Sequence, residues 1–302
     1  MSGKKILVIG SSNTDMSVCA AKLPCPGETV LGTAFRMGAG GKGANQAVAA
    51  RRLGGDVAFV CKVGRDMFGE QALEGYRSCG LDLSHVMLSD KPSGVALITV
   101  DTKAENSIVV ASGANADVSA EDIDSIADVV TGASILLMQL EIPVPAVERA
   151  ARIAHDAGVK VVLNPAPAAV LPESLLSCVD LIIPNETEAS AITGIEVNDE
   201  ESAVRAAEAL KAKGIADVII TMGSKGAMIC GGETMFVPAR KVDAVDTTAA
   251  GDTFCGAVCV ALSEGMTLAE AAEFATAASA LSVQRFGAQD SVPTRAEVEK
   301  TI

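Results

Sequence analysis

The chain has no tryptophan, one tyrosine and seven phenylalanines among its 302 residues, so aromatic packing cannot dominate its interior. With 49% of residues hydrophobic, a sizeable core is still implied, and Ala, Val, Leu and Ile must fill it. Histidine is almost as scarce. His85 and His155 are far apart and neither lies in a motif. A multi-histidine metal site or a Ser-His-Asp triad therefore has little material, and any general base is expected to be a carboxylate. His155, in Ile153-Ala154-His155-Asp156-Ala157-Gly158, reads as the end of a helix, where its charge is favourable. Positive charge is also short: 24 Lys and Arg stand against 38 Asp and Glu, a formal charge of −14. That balance argues against nucleic acid or an anionic membrane as a partner. The eight cysteines form no Cys-x-x-Cys pair, several lie in apolar runs, and Cys255 and Cys259 are one helical turn apart, as packing residues would be. Lys4 and Lys5 precede only a short apolar run from Ile6 to Gly10, so no signal peptide is expected. No apolar stretch is long enough for a membrane span, and a reducing cytoplasm fits best.

What is abundant is alternation. Lys5 to Gly10 opens the chain as a continuous apolar strand, and similar runs recur at Val57 to Val63, Ser134 to Met138, Val159 to Leu163, Leu181 to Ile183 and Val218 to Thr221. Between them lie helical patterns at Ala44 to Leu53, Phe68 to Cys79, Ala120 to Val130, Val144 to Ala157 and Glu200 to Lys213. Repeated βαβ units predict an α/β fold: a central, mostly parallel sheet with helices on both faces. From Gly251 onward the pattern turns helical, with Thr267 to Val283 a long Ala-rich helix. Glu28 to Met37 and Val95 to Val110 break the rhythm, reading as strands without intervening helices, the second as a hairpin about the polar turn Asp101 to Asn106. They predict a small antiparallel sheet projecting as a lid, with strands from about 14–40 and 94–111. No linker divides residues 1–302 into independent domains.

The polar and glycine-rich segments cluster after strands. Gly38-Ala39-Gly40-Gly41-Lys42-Gly43 matches the dinucleotide pattern G-x-G-x-x-G but is not in the first βα turn, and no G-x-x-x-x-G-K-[ST] occurs. With Asn45 and Gln46, Lys42 suits a hydroxylated ligand or phosphate, although a tight turn before a helix also accounts for the glycines. Asn13 and Asp15 follow the first strand and point to one side of an extended segment, as a binder of vicinal hydroxyls or as an Asx-turn. Gln139 to Glu141, Asn185 to Glu188 and Thr221 to Gly226 likewise follow strands. Asp246-Thr247-Thr248-Ala249-Ala250-Gly251-Asp252-Thr253-Phe254 runs a small-residue bend into a helix. Its free N–H groups suit an anion and Asp252 a proton-accepting role, while a simple helix cap explains the bare pattern as well. In a parallel sheet these ends share one edge, with polyol-type groups from the N-terminal half and phosphate-type groups from the C-terminal half. Asp252 falls where they meet. That division describes phosphoryl transfer from a nucleotide to a sugar hydroxyl.

Gly40-Gly41-Lys42-Gly43-Ala44-Asn45-Gln46-Ala47-Val48-Ala49-Ala50 and the stretch Asp246 to Phe254 resemble the two signatures of the ribokinase (PfkB-type) carbohydrate kinase family, nearly end to end with Asn13-x-Asp15, Pro26-Gly27-Glu28-Thr29, Leu163-Asn164-Pro165-Ala166-Pro167 and Pro184-Asn185-Glu186-Thr187-Glu188. The resemblance implies an α/β domain with a β-sheet lid that serves as a homodimer interface, and ATP-dependent phosphorylation of D-ribose at the 5-hydroxyl. Kinases of deoxyribose, fructose or a keto-deoxy sugar acid are the alternative. By the same resemblance Asp252 is the base, with N–H groups of Ala249, Ala250 and Gly251 as the phosphoryl hole. Asn13, Asp15, Gly41, Lys42, Asn45 and Glu141 match sugar contacts. Asn185, Thr221, Gly223, Ser224, Lys225, Gly226, Gly251 and Thr276 match nucleotide contacts, and Glu188 matches an acid associated with Mg²⁺ and phosphate. Asp246, Thr248, Ser282, Arg285, Gly287 and Ser291 match positions around an activating K⁺, several acting through carbonyls. The family commonly has Gly where Ala249 stands, and often Asn or His where Thr276 stands.

Overall fold

The computed structural model describes residues 5–103 and 105–302. Its strands begin with β1 (Lys5–Ile9), β2 (Asn13–Ala20), β3 (Gly32–Gly40), β4 (Asp56–Val60), β5 (Lys62–Gly64), β6 (Met87–Ser89) and β7 (Gly94–Val100). They continue with β8 (Asn106–Ala111), β9 (Ile135–Met138), β10 (Lys160–Leu163), β11 (Leu181–Ile182), β12 (Asp217–Thr221), β13 (Gly226–Cys230) and β14 (Thr234–Pro238). Eight form one sheet in the order β14-β13-β12-β11-β10-β9-β1-β4. From β12 to β4 the pairing is parallel; β12–β13 and β13–β14 are antiparallel. The last two strands are absent from the pattern-based expectation, because Gly226 to Cys230 follows a glycine-rich loop directly, without a helix to announce a new unit.

The alternation of side chains across the sheet builds two cores. Leu7 and Ile9 of β1 join one face, packed by the helix Val144–Asp156 and the helix Glu200–Lys211. Ile6 and Val8 join the other, packed by helices Lys42–Arg52, Ala250–Ser263 and Leu268–Ser282. Ala, Val, Leu and Ile dominate both, as the shortage of aromatics requires, and Cys255 and Cys259 are buried free thiols. Two of these helices approach closely: a Cβ on Gly256 would lie 2.8 Å from the Gln46 carbonyl oxygen. The Ala120 to Val130 pattern forms two short helices, Ala120–Ser125 and Ala127–Thr131, with Ile126 between them at φ −119°.

β1 is where the strand order reverses, since the chain leaves it toward β4 on one side and returns on the other at β9. A crevice outside the carboxyl ends of β1 and β9 is the expected ligand site of such a sheet. Over it lies a separate four-stranded sheet, β3-β2-β7-β8. The sheet is not wholly antiparallel as expected: β2 and β7 run parallel, between antiparallel β3–β2 and β7–β8 pairs. A long excursion through β4 to β6 separates β2 from β7, so β7 enters in the same direction as β2. The strand expected at Glu28 to Met37 lies at Gly32–Gly40, and Asn13–Ala20 is itself a full strand. In the hairpin turn, Ala104 lies outside the described residues. Cross-strand register puts Met37, Met16, Leu97 and Val109 in one row, on the face opposite Asp15. Phe35 shares that outward face, and Phe35, Met37, Leu97 and Val109 are all exposed.

Candidate active site

The helix Ala250–Ser263 begins at Ala249, which has φ 57°, the sole positive φ outside glycine among the described residues. A left-handed bend there turns the chain sharply into the helix and leaves N–H groups facing outward. Ala250 N–H is spent on the Thr247 carbonyl at 3.2 Å, a change from the expectation that all three N–H groups of 249–251 are free. Those of Ala249, Gly251 and Asp252 have no acceptor among the described residues. Partial positive charge at the helix start favours an anion in front of them.

Asp252, in the first turn, is 7% exposed. Its Oδ2 accepts from Asn45 Nδ2 at 3.0 Å and its Oδ1 from Gln46 Nε2 at 2.9 Å. The residues of Gly38 to Gln46 thus hold the carboxylate of a helix more than 200 positions away, and the dinucleotide reading of that loop fails on geometry. Gly41 starts the helix Lys42–Arg52 at φ 88°, and a Cβ on it would come within 2.7 Å of Asn13 N, so only glycine lets the loop lie against the end of β1.

On one side of Asp252 are the polyol-type groups. Glu141 Oε2 accepts from Ser11 Oγ at 2.5 Å and from Lys42 N at 3.0 Å. Asn13 Oδ1 accepts from Asn115 Nδ2 at 2.7 Å. Asn13 and Glu141 line a cavity of about 340 Å³ whose wall includes Val110 and Ser112 of the overlying sheet segment. Burial pushes the Asp15 carboxyl up to about 6, Glu141 and Asp252 add to the rise, and Lys42 opposes it. Burial alone would lower the Lys42 ammonium, but Asp252, Glu141 and Glu188 outweigh it and hold it above its usual value. A lysine ringed by carboxylates is the local positive charge that a chain of net charge −14 needs to receive a phosphate.

On the other side a cavity of about 610 Å³ is lined by Asn185, Thr221, Gly223, Ser224, Gly226, Gly251 and Thr276 among others. Phe254, Ala280 and Val283 give it an apolar wall, which suits a nucleobase, and the helix start of Ala250 and Gly251 closes one end. Two sequence candidates stay out of the lining. Lys225 turns away, donating to the Asn198 carbonyl at 2.7 Å and pairing with Glu186 at 3.7 Å. Glu188 is buried as the third residue of a capping box, its carboxylate accepting from Asn185 N at 2.9 Å while Asn185 Oδ1 accepts from Glu188 N at 2.8 Å. Burial lifts its carboxyl above the ordinary value, against the Asn185 N–H and Lys42.

Asp246 ties two loops together. Its Oδ1 accepts from Thr248 N at 2.9 Å and Thr248 Oγ1 at 2.6 Å, and its Oδ2 from Gly287 N at 3.0 Å. Although burial acts upward, these donors and Arg36 hold its carboxyl below the usual range. Ser282 and Ser291 are buried, and Arg285 is engaged with Glu297 at 2.5 Å. The carbonyls of Asp246, Thr248, Arg285, Gly287 and Ser291 have no donor among the described residues. One carboxylate and several carbonyls without donors are hard oxygen groups with a single formal charge, whose chemistry fits a monovalent cation.

This geometry, a buried carboxylate at a helix start with two cavities near it, is matched by what the sequence resembles. Residues 3–295 match the model of the pfkB family carbohydrate kinases. The chain belongs to that family. As a pfkB-type carbohydrate kinase it is 47% identical over 296 residues to a ribokinase of Haemophilus influenzae, covering 97% of each chain. It is 37% identical over 292 residues to a deoxyribokinase of Salmonella typhi, covering 96% of this chain and 95% of that one. Its fold superimposes with a TM-score of 0.92 on an Arabidopsis thaliana ribokinase complexed with ribose and ATP, at 35% identity and with 99% and 98% of the chains covered. Of the residues around Asp252, Ser11, Gln139, Asn164 and Gln289 were not singled out as site residues by motif. Gln139 carries a local signal beside Glu141 at the end of β9, and Asn164 lies in the segment Leu163 to Pro167; Ser11 and Gln289 carry none.

Proposed function

We propose that this protein transfers the γ-phosphoryl group of ATP to the 5-hydroxyl of D-ribose, giving ribose 5-phosphate and ADP. The observation that carries the reading is Asp252, buried and held by Asn45 and Gln46 next to Gly251, which lines the larger cavity; the 47% identity to a ribokinase supports ribose as acceptor. Asn13, Asp15, Gly41, Lys42, Asn45 and Glu141 orient the sugar so that its 5-hydroxyl faces Asp252. The carboxylate takes the hydroxyl proton as the oxygen bonds to the γ-phosphorus and the bond from that phosphorus to the β–γ bridging oxygen breaks. N–H groups of Ala249, Gly251 and Asp252 and the Lys42 ammonium face the negative charge on the transferring group. Positioning and charge stabilisation of this kind supply most of the catalysis in phosphoryl transfer.

ATP arrives with Mg²⁺, and Glu188 is the acid on the phosphate side of the site. Asp246, with carbonyls of Thr248, Arg285, Gly287 and Ser291, would hold K⁺, which supplies positive charge behind the anion hole. Ser282 and the Arg285–Glu297 pair would hold those loops in shape. Residues 1–302 act as one ribokinase-like unit in the cytoplasm, and the apolar outer face of the four-stranded lid pairs with a second copy. No helix among the described residues is long and apolar enough to cross a membrane.

The deciding experiment is a coupled ADP-release assay over ribose, deoxyribose, fructose and keto-deoxy sugar acids, each with K⁺ or Na⁺. Ribose is expected to give the highest kcat/KM, and K⁺ a several-fold higher rate than Na⁺. Deoxyribose is the competing acceptor, given the 37% identity to a deoxyribokinase. Preference for it would replace ribose as substrate, and equal rates in the two salts would remove the cation assignment.

A further inference from the structure

Four buried amides surround Asp252 in two tiers. Gln46 Nε2 donates to Asp252 Oδ1 at 2.9 Å, and the Gln46 Oε1 accepts from Gln139 Nε2 at 2.5 Å. Asn45 Nδ2 donates to Asp252 Oδ2 at 3.0 Å, and the Asn45 Oδ1 accepts from Gln289 Nε2 at 3.3 Å. Gln46 and Gln139 are 0% exposed, Asn45 6% and Gln289 7%. A carboxamide presents donors at one end and an acceptor at the other, so turning it over exchanges them. With an outer NH₂ fixed on each inner carbonyl, both inner amides can aim only NH₂ at the carboxylate.

Gln46 is further pinned by a second donation, to Asn164 Oδ1 at 3.0 Å, while Asn164 donates to the Ile183 carbonyl at 2.8 Å. Gln139 is held from the other side. Its Oε1 is buried without a partner, against the backbone of Gly10, where a Cβ would come within 2.1 Å of it. An unsatisfied buried acceptor is costly, and it is tolerated where the outward NH₂ is needed at Gln46.

We infer that Gln46, with Gln139 and Gln289 behind the two inner amides, is a positioning device for the base: it locks the rotation of the Asp252 carboxylate and keeps each oxygen a proton acceptor toward the sugar hydroxyl. Gln46 itself touches Asp252 and acts through it. Such locking matters because a small misplacement of a reacting group costs about a hundredfold in rate. The inference rests on Asp252 being the base of the proposed sugar kinase.

The test uses the full chain and ribose with ATP. Gln46→Met keeps the length of the side chain and removes its donors. The expected result is a kcat lowered roughly tenfold to a hundredfold, with the KM for ribose within about twofold. In an Asp252→Asn background the same change is expected to add less than about twofold, because its partner's function is already gone. If Gln46→Met does not fold by circular dichroism, Gln139→Met, which leaves Gln46 and Asp252 intact, is expected to give the same kcat-selective loss at smaller size. Wild-type kcat in a folded variant, a loss in KM alone, or a full loss repeated in the Asp252→Asn background would each overturn the positioning role. A wild-type protein that releases no ADP with any sugar would instead overturn the kinase reading.

Discussion

At the scale of single residues, two carboxylates are asked for the same thing in different surroundings. In the proposed reaction Asp252 acts as an acceptor, and the Asn45 and Gln46 amides donate to it. Asp252→Asn is expected to lower kcat by about 10²–10⁴ while ribose still raises the melting temperature, since general-base contributions are of that size. Turnover near wild type would take the base role from Asp252. Asp15 is instead pushed up to about 6, by burial first and then by Glu141 and Asp252. As an acceptor for sugar hydroxyls it works when ionised, so the KM for ribose is expected to rise as pH falls below about 6. In Asp15→Asn the KM is expected to be high at every pH, and a profile unchanged from wild type would count against the contact. The sign for stability is the reverse. A carboxyl whose folded value lies above its unfolded one binds more protons in the folded state between the two, so stability falls as pH rises from about 4 to about 6. Asp15→Asn is therefore expected to melt higher than wild type at pH 8, by a few degrees on the order expected for a chain this long, and to lose that advantage near pH 4.

At the scale of elements, local rules were legible and partnerships were not. The helix Leu268–Ser282 begins at a Thr267–Glu270 capping box, and the run Thr267 to Val283 is visible in the sequence. The strands β13 and β14 were not visible, because a hairpin on the edge of a parallel sheet has no following helix to mark it. Nor does spacing reveal which strand of the lid runs parallel to which. Register adds what composition alone does not: Met16, Phe35, Met37, Leu97 and Val109 share the side away from Asp15, while Ile108 and Val110 lie on the Asp15 side. An exposed apolar sheet face of this kind marks an interaction surface. Leu97→Asp, in the middle of that face, is expected to convert a sedimenting dimer into a monomer, while the helical circular dichroism stays unchanged. A wild-type protein that is monomeric at micromolar concentration would sink the lid-to-lid pairing outright.

At the scale of the whole molecule, the strand order reverses at β1, and the proposed sugar and nucleotide groups follow strands of the one main sheet. The smaller cavity, proposed to take the sugar, is lined by Val110 and Ser112, so a ligand there would bridge the lid and the main sheet. Ligand that binds only the folded state stabilises it by about 2.7 kcal/mol at a hundredfold excess over Kd. Differential scanning fluorimetry is expected to show an upward shift of the melting temperature with ribose and a further shift with ADP. No shift with either ligand would mean that the two cavities are not the binding sites proposed.

The sequence by itself determined the class of chemistry. Periodic apolar runs point to a parallel sheet, strand ends to where polar groups gather, and the small-residue bend before Asp252 to a helix start that suits an anion or a plain cap, because these follow from local geometry. It could not decide what Asp252 touches. Asn45 and Gln46 come from a distant segment, and a hydrogen bond between residues some 200 positions apart leaves no trace in spacing. Nor could it show that Lys225 leaves the cavity wall to pair with Glu186, or that Glu188 gives one carboxylate oxygen to its own helix cap. Those outcomes depend on which polar groups find partners once water is excluded. Only the packed structure settles that competition, since a buried donor or acceptor must take whichever partner the fold brings within reach.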